Sequence, residues 1–360
     1  MIGAVGARKE EMKMNYDFLY DMIQTESVSG GEIPLQKKVA AHMQGQGCTV
    51  QTDYTGNVIA SINEKSPLKV LMTGHIDEIG FRVTYLTEKG MIKVGKAGFI
   101  RPELMQGKRV TILGKKRLTG VMGILLKDGQ VRTDATLTEM YVDCGFRTGE
   151  EAAQWVTPGD FVTYTYAYDL MENNCIAGRG LDDKLGAFTV MQALLRAREL
   201  GAKAGVYAGA TVGEETTMRG AYFAAAKVKP ALAIAVDVIH TSDYPGSEAE
   251  RFGKIELGGG PVLVRSASSN EPTVRALEAA AKKLDMAVQY EIACGVTGTD
   301  ADKMHQSADG VPMAVVSIPL RYMHSPSEVG CLSDVENCVE LLARFIADLD
   351  EHFSPDPFRE

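Results

Sequence analysis

The stretch Lys69-Val-Leu-Met-Thr-Gly-His75-Ile-Asp77-Glu78 decides the fold. Its first half is a short apolar run of strand type, and its second half sets an imidazole and two carboxylates just past the strand's carboxyl end. In open α/β sheets that end is where ligands bind. The arrangement recurs. Ala208-Gly-Ala-Thr-Val212 runs into Gly213-Glu214-Glu215, Ala233-Ile-Ala-Val236 ends on Asp237, and Val315-Val-Ser-Ile-Pro319 leads to Arg321-Tyr-Met-His324. A fifth source, Gly178-Arg-Gly-Leu-Asp182-Asp183-Lys184, opens a helical pattern whose N-terminal dipole tolerates anions.

The resulting set is His75, Asp182, Glu215, Asp237 and His324. Two imidazoles and three carboxylates suit borderline divalent ions such as zinc, cobalt or manganese without any thiolate. A catalytic zinc keeps about three protein ligands and an open position, so five ligands with one shared carboxylate describe two ions roughly 3.5–4 Å apart. Taken singly, an acid after a strand is often a helix cap and a histidine a packing residue. Their joint recurrence at one sheet edge carries the metal reading. His42, His240, His305 and His352 lack that setting and read as packing or surface residues, although His240 follows Asp237 closely enough to approach the site.

The rest of the chain frames these segments. Residues 15–46 read as two helices broken at Ser27-Val-Ser-Gly-Gly31, the second running from Ile33 to Gly45. Val50 to Ile62, turned at Gly56-Asn57, and Lys69 to Thr73 begin an α/β sheet. From Phe81 to Ala167 the rhythm changes to short β-rich runs: Phe81–Thr84, Met91–Val94, Arg109–Leu113, Thr119–Leu125, Glu139–Val142 and Asp160–Tyr166. One short helix, Glu150–Trp155, interrupts them. That is the pattern of a small inserted β-barrel or sandwich. After Asn173 helices (Asp183–Leu200, Arg219–Lys227, Glu271–Leu284, Asp334–Leu349) alternate with strands (Ala204–Val212, Leu232–Val238, Met313–Ile318). A discontinuous catalytic domain, 1–79 plus 168–360, is expected around an insert at 80–167.

Composition excludes several classes. With 360 residues, 45% hydrophobic and 24% charged, the chain can bury a large core and is not a disordered polymer. Lysine plus arginine number 38 against 47 acids, a net charge of −9 with no basic block, which argues against nucleic acid as a partner. No apolar run approaches the ~18 residues of a membrane span. Arg8, Lys9, Glu10, Glu11 and Lys13 stand where a signal peptide would be apolar, so a cytoplasmic location without membrane attachment is expected. The six cysteines never form Cys-x-x-Cys and read as reduced, mostly core residues.

Gly74-His-Ile-Asp-Glu-Ile-Gly80, Leu181-Asp-Asp-Lys-Leu-Gly186, Gly213-Glu-Glu215 with Arg219-Gly-Ala221, Gly298-Thr-Asp-Ala301 and Arg321-Tyr-Met-His-Ser-Pro326 together resemble the M42 family of metallo-aminopeptidases. The likeness spans nearly the whole chain, and the 107 positions between His75 and Asp182 leave room for a barrel where that family carries one. It implies a three-layer α/β/α zinc-peptidase-like catalytic domain with an inserted β-barrel serving as an oligomerisation or lid module. It also implies two divalent ions per subunit, zinc or cobalt first and manganese as the alternative. His75 and Asp237 would hold one ion, Glu215 and His324 the other, and Asp182 both. Glu214 would be the general base on a water shared by the ions, and Asp77 would orient His75. Expected substrates are short peptides cut at their N-terminal residue, and the expected assembly is a large homo-oligomer, commonly a dodecamer.

One departure concerns Thr216-Thr217-Met218, where many relatives read Val-Gly-Leu; it bears on pocket shape and substrate preference. Two other readings compete. An endo-1,4-β-glucanase needs two carboxyl groups flanking a sugar, usually beside aromatic platforms, yet the one tryptophan, Trp155, lies in the insert. An inactive oligomeric scaffold would have lost a ligand or the base, and all six positions are filled.

Overall fold

Alternation of apolar residues along a few central strands, each feeding two separate cores, builds this molecule. The computed structural model describes residues 14–124, 136, 139–247, 249–350 and 352–359. The N-terminal stretch used for the leader argument, up to Lys13, and Leu125 at the end of one expected strand lie outside the described residues.

Helices α1 (Asp17–Gln24) and α2 (Ile33–Gly45) precede the antiparallel pair β1 (Thr49–Thr52) and β2 (Val58–Ile62), and then β3 (Lys69–His75). The insertion supplies β4 (Gly80–Leu86), β5 (Ile92–Ala97), β6 (Arg109–Leu113), β7 (Arg117–Ile124), β8 (Met140–Asp143), α3 (Gly149–Ala153) and β9 (Phe161–Tyr164). The chain returns through β10 (Tyr168–Leu170), β11 (Cys175–Gly178), α4 (Leu181–Glu199), β12 (Gly205–Thr211), α5 (Glu214–Thr217), α6 (Arg219–Val228), β13 (Leu232–His240) and α7 (Ala249–Phe252). It finishes with β14 (Val262–Ser266), α8 (Glu271–Lys283), β15 (Gln289–Ala293), α9 (Ala301–His305), β16 (Met313–Arg321), β17 (Glu328–Cys331) and α10 (Leu332–Asp348).

One mixed sheet runs β1-β2-β12-β3-β13-β16-β17-β11-β10, with β14 and β15 branching from β16. Its centre, β12-β3-β13-β16, is parallel. Both faces are covered there, so these strands read as continuous apolar runs. Val70 and Met72 of β3 and Leu232, Ile234 and Val236 of β13 feed the core beneath α4, α8 and α10. Leu71, Ala233 and Ala235 feed the opposite core beneath α6 and α9. The result is a three-layer α/β/α sandwich. Helix α4 is enclosed by the sheet, α1 and α10, and every residue from Leu181 to Met191 is buried.

Gly74 sets how closely α4 meets the sheet. A Cβ at that position would strike the backbone of Gly186 and Ala187, so only glycine lets the end of β3 lie against the first turn of α4. The helix expected from Asp183 takes regular geometry only after that residue. Asp182 and Asp183 have non-helical angles, and the peptide bond between them is cis.

The insertion closes into a six-stranded barrel, β4-β5-β8-β7-β6-β9, completed where β9 pairs with β4. Of the two architectures left open by the sequence it is the barrel, and closure leaves no sheet edge exposed. Its own core includes Phe81, Val94, Ile112, Met122 and Val162. Strands β10, β11, β14, β15 and β17 were not legible in the sequence, being three to five residues long. Among the described residues no helix is long and apolar enough to cross a membrane.

Barrel and sheet meet at Glu78, a fully buried residue between β3 and β4. Its carboxylate pairs with Arg179 and, at 2.7 Å, with Lys184, and accepts from the Thr163 hydroxyl of β9 at 3.1 Å. Burial would raise the Glu78 carboxyl, but the two cations hold it down to about 2; burial pushes the Lys184 ammonium down to about 8. Removing one partner of such a cluster strands the others without compensation. Glu78→Gln is therefore expected to destabilise the fold by roughly 3–5 kcal/mol in urea unfolding. An unchanged unfolding midpoint would show that the cluster contributes nothing.

Candidate metal centre

The parallel strands deliver their functional side chains at one edge. β3 ends on His75, and β13 carries Asp237. β12 ends at Thr211 and passes Glu214 and Glu215 through Gly213, whose φ of 68° is left-handed. Beyond β16 the chain turns sharply, and His324 itself has a φ of 59°, a conformation few non-glycine residues adopt.

Asp182 is the centre of the cluster. Its Oδ1 lies 3.0 Å from His75 Nε2 and its Oδ2 lies 3.1 Å from His324 Nε2. Glu215 Oε2 is 3.5 Å from the same His324 nitrogen, and Glu214 Oε2 is 3.8 Å from His75 Nε2. Ligand atoms of His75, Asp182 and Glu215 fall within 4.8 Å of one another, and so do those of His75, Asp183 and Asp237. All five expected ligands and the expected base thus line one cleft of about 550 Å³.

Other acids brace these groups. Asp77 accepts the backbone N–H groups of Glu214 and Glu215 at 3.0 and 3.3 Å, and its own carbonyl lies 3.0 Å from His75 Nδ1. It therefore caps α5 as well as steadying the imidazole. Asp183 accepts from the backbone N–H of His75 at 3.1 Å and of Gly186 at 2.9 Å, so both its oxygens already have donors. Glu328 accepts from the backbone N–H of Asp182 at 3.1 Å and of His324 at 2.9 Å, clamping two ligand-bearing turns together. Asp300 takes a hydrogen bond from the Thr211 hydroxyl.

The bracing roles of Asp183, Asp300 and Glu328 were not foreseen. Asp300 lay in a quoted motif without a role, and Glu328 stands only four residues after His324. Of the remaining histidines, His240 does line the cleft. His42 stacks on Phe18 at 3.7 Å, and His305 Nδ1 meets the Val311 carbonyl at 3.1 Å.

The electrostatics call for cations. Burial pushes Glu214 up to about 10, Asp237 to about 7 and Asp300 to about 6, with neighbouring carboxylates adding to each shift. Glu215 rises well above the carboxylate range from burial and then from Asp182. Asp182 goes the other way: against its burial, His324 and His75 hold it well below that range. Glu215 Oε1 is buried without a hydrogen-bond partner. An orphaned oxygen within a set of imidazole and carboxylate donors fits divalent metal ions.

The barrel overhangs this edge. Phe99 lies 5.8 Å from the His324 ring, and a Cβ on Gly98 would stand 3.2 Å from Glu215 Oε2.

The sequence profile of the M42 glutamyl aminopeptidase family matches residues 56–341. The chain belongs to that family. The lysyl aminopeptidase of Pyrococcus furiosus is 30% identical, over 93% of this chain and 98% of its own length. A TET aminopeptidase from a marine-sediment thaumarchaeote superposes with a TM-score of 0.89 at 28% identity, covering 94% and 97% of the two chains. The Pyrococcus horikoshii TET1 peptidase, described as assembling into a tetrahedron or a large octahedral shell, superposes at 0.81 with 26% identity over 92% and 99%. This M42 aminopeptidase is accordingly a hydrolase of the exopeptidase type.

Because ligating groups must be deprotonated, metal uptake by this M42 aminopeptidase should release protons. Calorimetric titration of metal-stripped protein with zinc, in two buffers of different ionisation enthalpy, should show that release and tighter binding at pH 8 than at pH 6. Buffer-independent heats would contradict it.

Proposed function

We propose that the chain is a binuclear metal-dependent aminopeptidase that removes N-terminal residues from short peptides. The observation that carries this reading is the placement of Asp182, whose two oxygens each face a different imidazole. His75 and Asp237 would hold one ion, Glu215 and His324 the second, and Asp182 would serve both. Zinc or cobalt suits this donor set, with manganese the alternative. When bound, such ions acidify water and polarise a substrate carbonyl. Glu214 takes the proton of the attacking water and delivers it to the leaving amine. Its Oε2, 3.8 Å from His75 Nε2, lies beside the ligands. Asp77 keeps it there by holding the first turn of α5.

In this reading the chain divides into a catalytic domain, 1–79 plus 168–360, and a barrel domain, 80–167. The barrel serves both as a partial lid and in self-association. A large cytoplasmic homo-oligomer, such as a dodecamer, is in keeping with the shells formed by the Pyrococcus TET1 relative. Glucanase chemistry is disfavoured by the cleft itself, whose carboxylates converge on imidazoles and whose one aromatic wall residue other than histidine, among the described residues, is Phe99.

Aminoacyl-p-nitroanilides tested on metal-stripped and reloaded protein, with N-blocked peptides and a soluble β-glucan as controls, should show metal-restored cleavage of the free-amine substrates only. Cleavage of blocked peptides or glucan instead would overturn the reaction assigned. Glu214→Gln should lower turnover about 10²–10⁴-fold while metal content and fold stay near normal; retention of more than about a tenth of the rate would remove its role as base. His324→Ala should lose occupancy of one ion, and an unchanged two-ion stoichiometry would refute it as a ligand.

A further inference from the structure

The family's profile carries a glutamyl name and the Pyrococcus furiosus relative a lysyl one, so kinship does not fix which first residue this chain prefers. The cleft holds an observation that bears on it. Apart from the acids that crowd the metal centre, one more carboxylate among the described residues lines the cavity: Glu291, from the edge strand β15. The neighbours of Glu291 on that strand are engaged, Gln289 with the backbone of Glu256 and Gly260, Tyr290 with Glu278. Glu291 is half-buried and, among the described residues, has neither an ion pair nor a hydrogen bond from its side chain. Burial alone raises its carboxyl, with no compensating cation.

Among the described residues no lysine or arginine lines the cleft, although Lys96 lies over Phe99 and Arg101 acts on His240 at its rim. The same cleft is lined by the apolar side chains of Met218, Ile239 and Met323 and by Thr297 and Thr299. A partly dehydrated carboxylate without a partner costs free energy until a cation reaches it. A side chain with an apolar stem and a charged tip suits such a wall and tip together.

We infer that Glu291 reads the side chain of the substrate's first residue, and that the enzyme prefers peptides beginning with lysine or arginine. This rests on the aminopeptidase reading above. The α-amino group and the scissile carbonyl belong at the metal centre, leaving the first side chain for the remainder of the cleft. A glutamyl side chain placed there would meet a like charge and an unpaired partner, the arrangement by which sites reject wrong ligands.

Lysyl- and norleucyl-p-nitroanilide have matching stems and differ in the terminal ammonium. With the metal-loaded wild-type enzyme, lysyl should exceed norleucyl in kcat/KM by at least about tenfold, and glutamyl should be the poorest of the three. Glu291→Gln should collapse the lysyl-to-norleucyl ratio toward unity, chiefly through KM, and Glu291→Lys should raise glutamyl relative to lysyl. Wild-type enzyme that cleaves norleucyl as well as lysyl would overturn the inference without any variant and leave the aminopeptidase assignment standing. So would a ratio unmoved in Glu291→Gln. Failure to cleave every free-amine substrate would remove the assignment and the inference with it.

Discussion

Mutual repulsion among buried carboxylates at the carboxyl edge of the central sheet is the constraint around which this molecule is organised. Acids from six segments converge there, and burial strengthens every like-charge contact. The chain resolves the conflict in two ways. Asp77, Asp183 and Glu328 are each given a pair of backbone N–H donors, which lets them stay in place as anchors. Among the described residues Glu214 and Glu215 receive no comparable donors, and Oε1 of Glu215, like Oδ1 of Asp300, has none. Asp182 instead faces two imidazoles, and Asp237 accepts from the backbone N–H of Val238 at 2.7 Å. Three bracing acids are thus marked by the pairs of backbone donors they receive.

That distinction explains what was legible beforehand. The parallel centre could be read because strands covered on both faces are long, apolar and end on polar residues, as at His75 and Asp237. Most barrel strands could be read because glycines separate them. The anchors could not. Asp183 looks like a second copy of Asp182, and only the non-helical turn sends its carboxylate back to the His75 backbone instead of into the cleft. Glu328 lies on a four-residue strand with no periodicity to reveal it. Glu291 sits in Gln-Tyr-Glu-Ile-Ala, a half-exposed edge strand whose alternation is too brief to separate from a loop.

Among the contacts that join the barrel to the sheet, two are of different kinds. Glu78 ties it into the core through a buried charge cluster shared with Arg179 and Lys184. The Gly98-Phe99 turn lays it over His324 and Glu215. One contact lies at the barrel's root and the other where it overhangs the cleft.

The strand order carries a consequence for how the chain is made. β2 and β3 are near neighbours in sequence but not in the sheet, because β12 lies between them, antiparallel to one and parallel to the other. During synthesis, with residues added at about 5–20 per second, β2 and β3 wait on the order of ten seconds with facing edges unpaired while the barrel and α4 emerge. Unpaired edges are templates for adventitious pairing. In this topology the gap between β2 and β3 is filled only once β12 has been made.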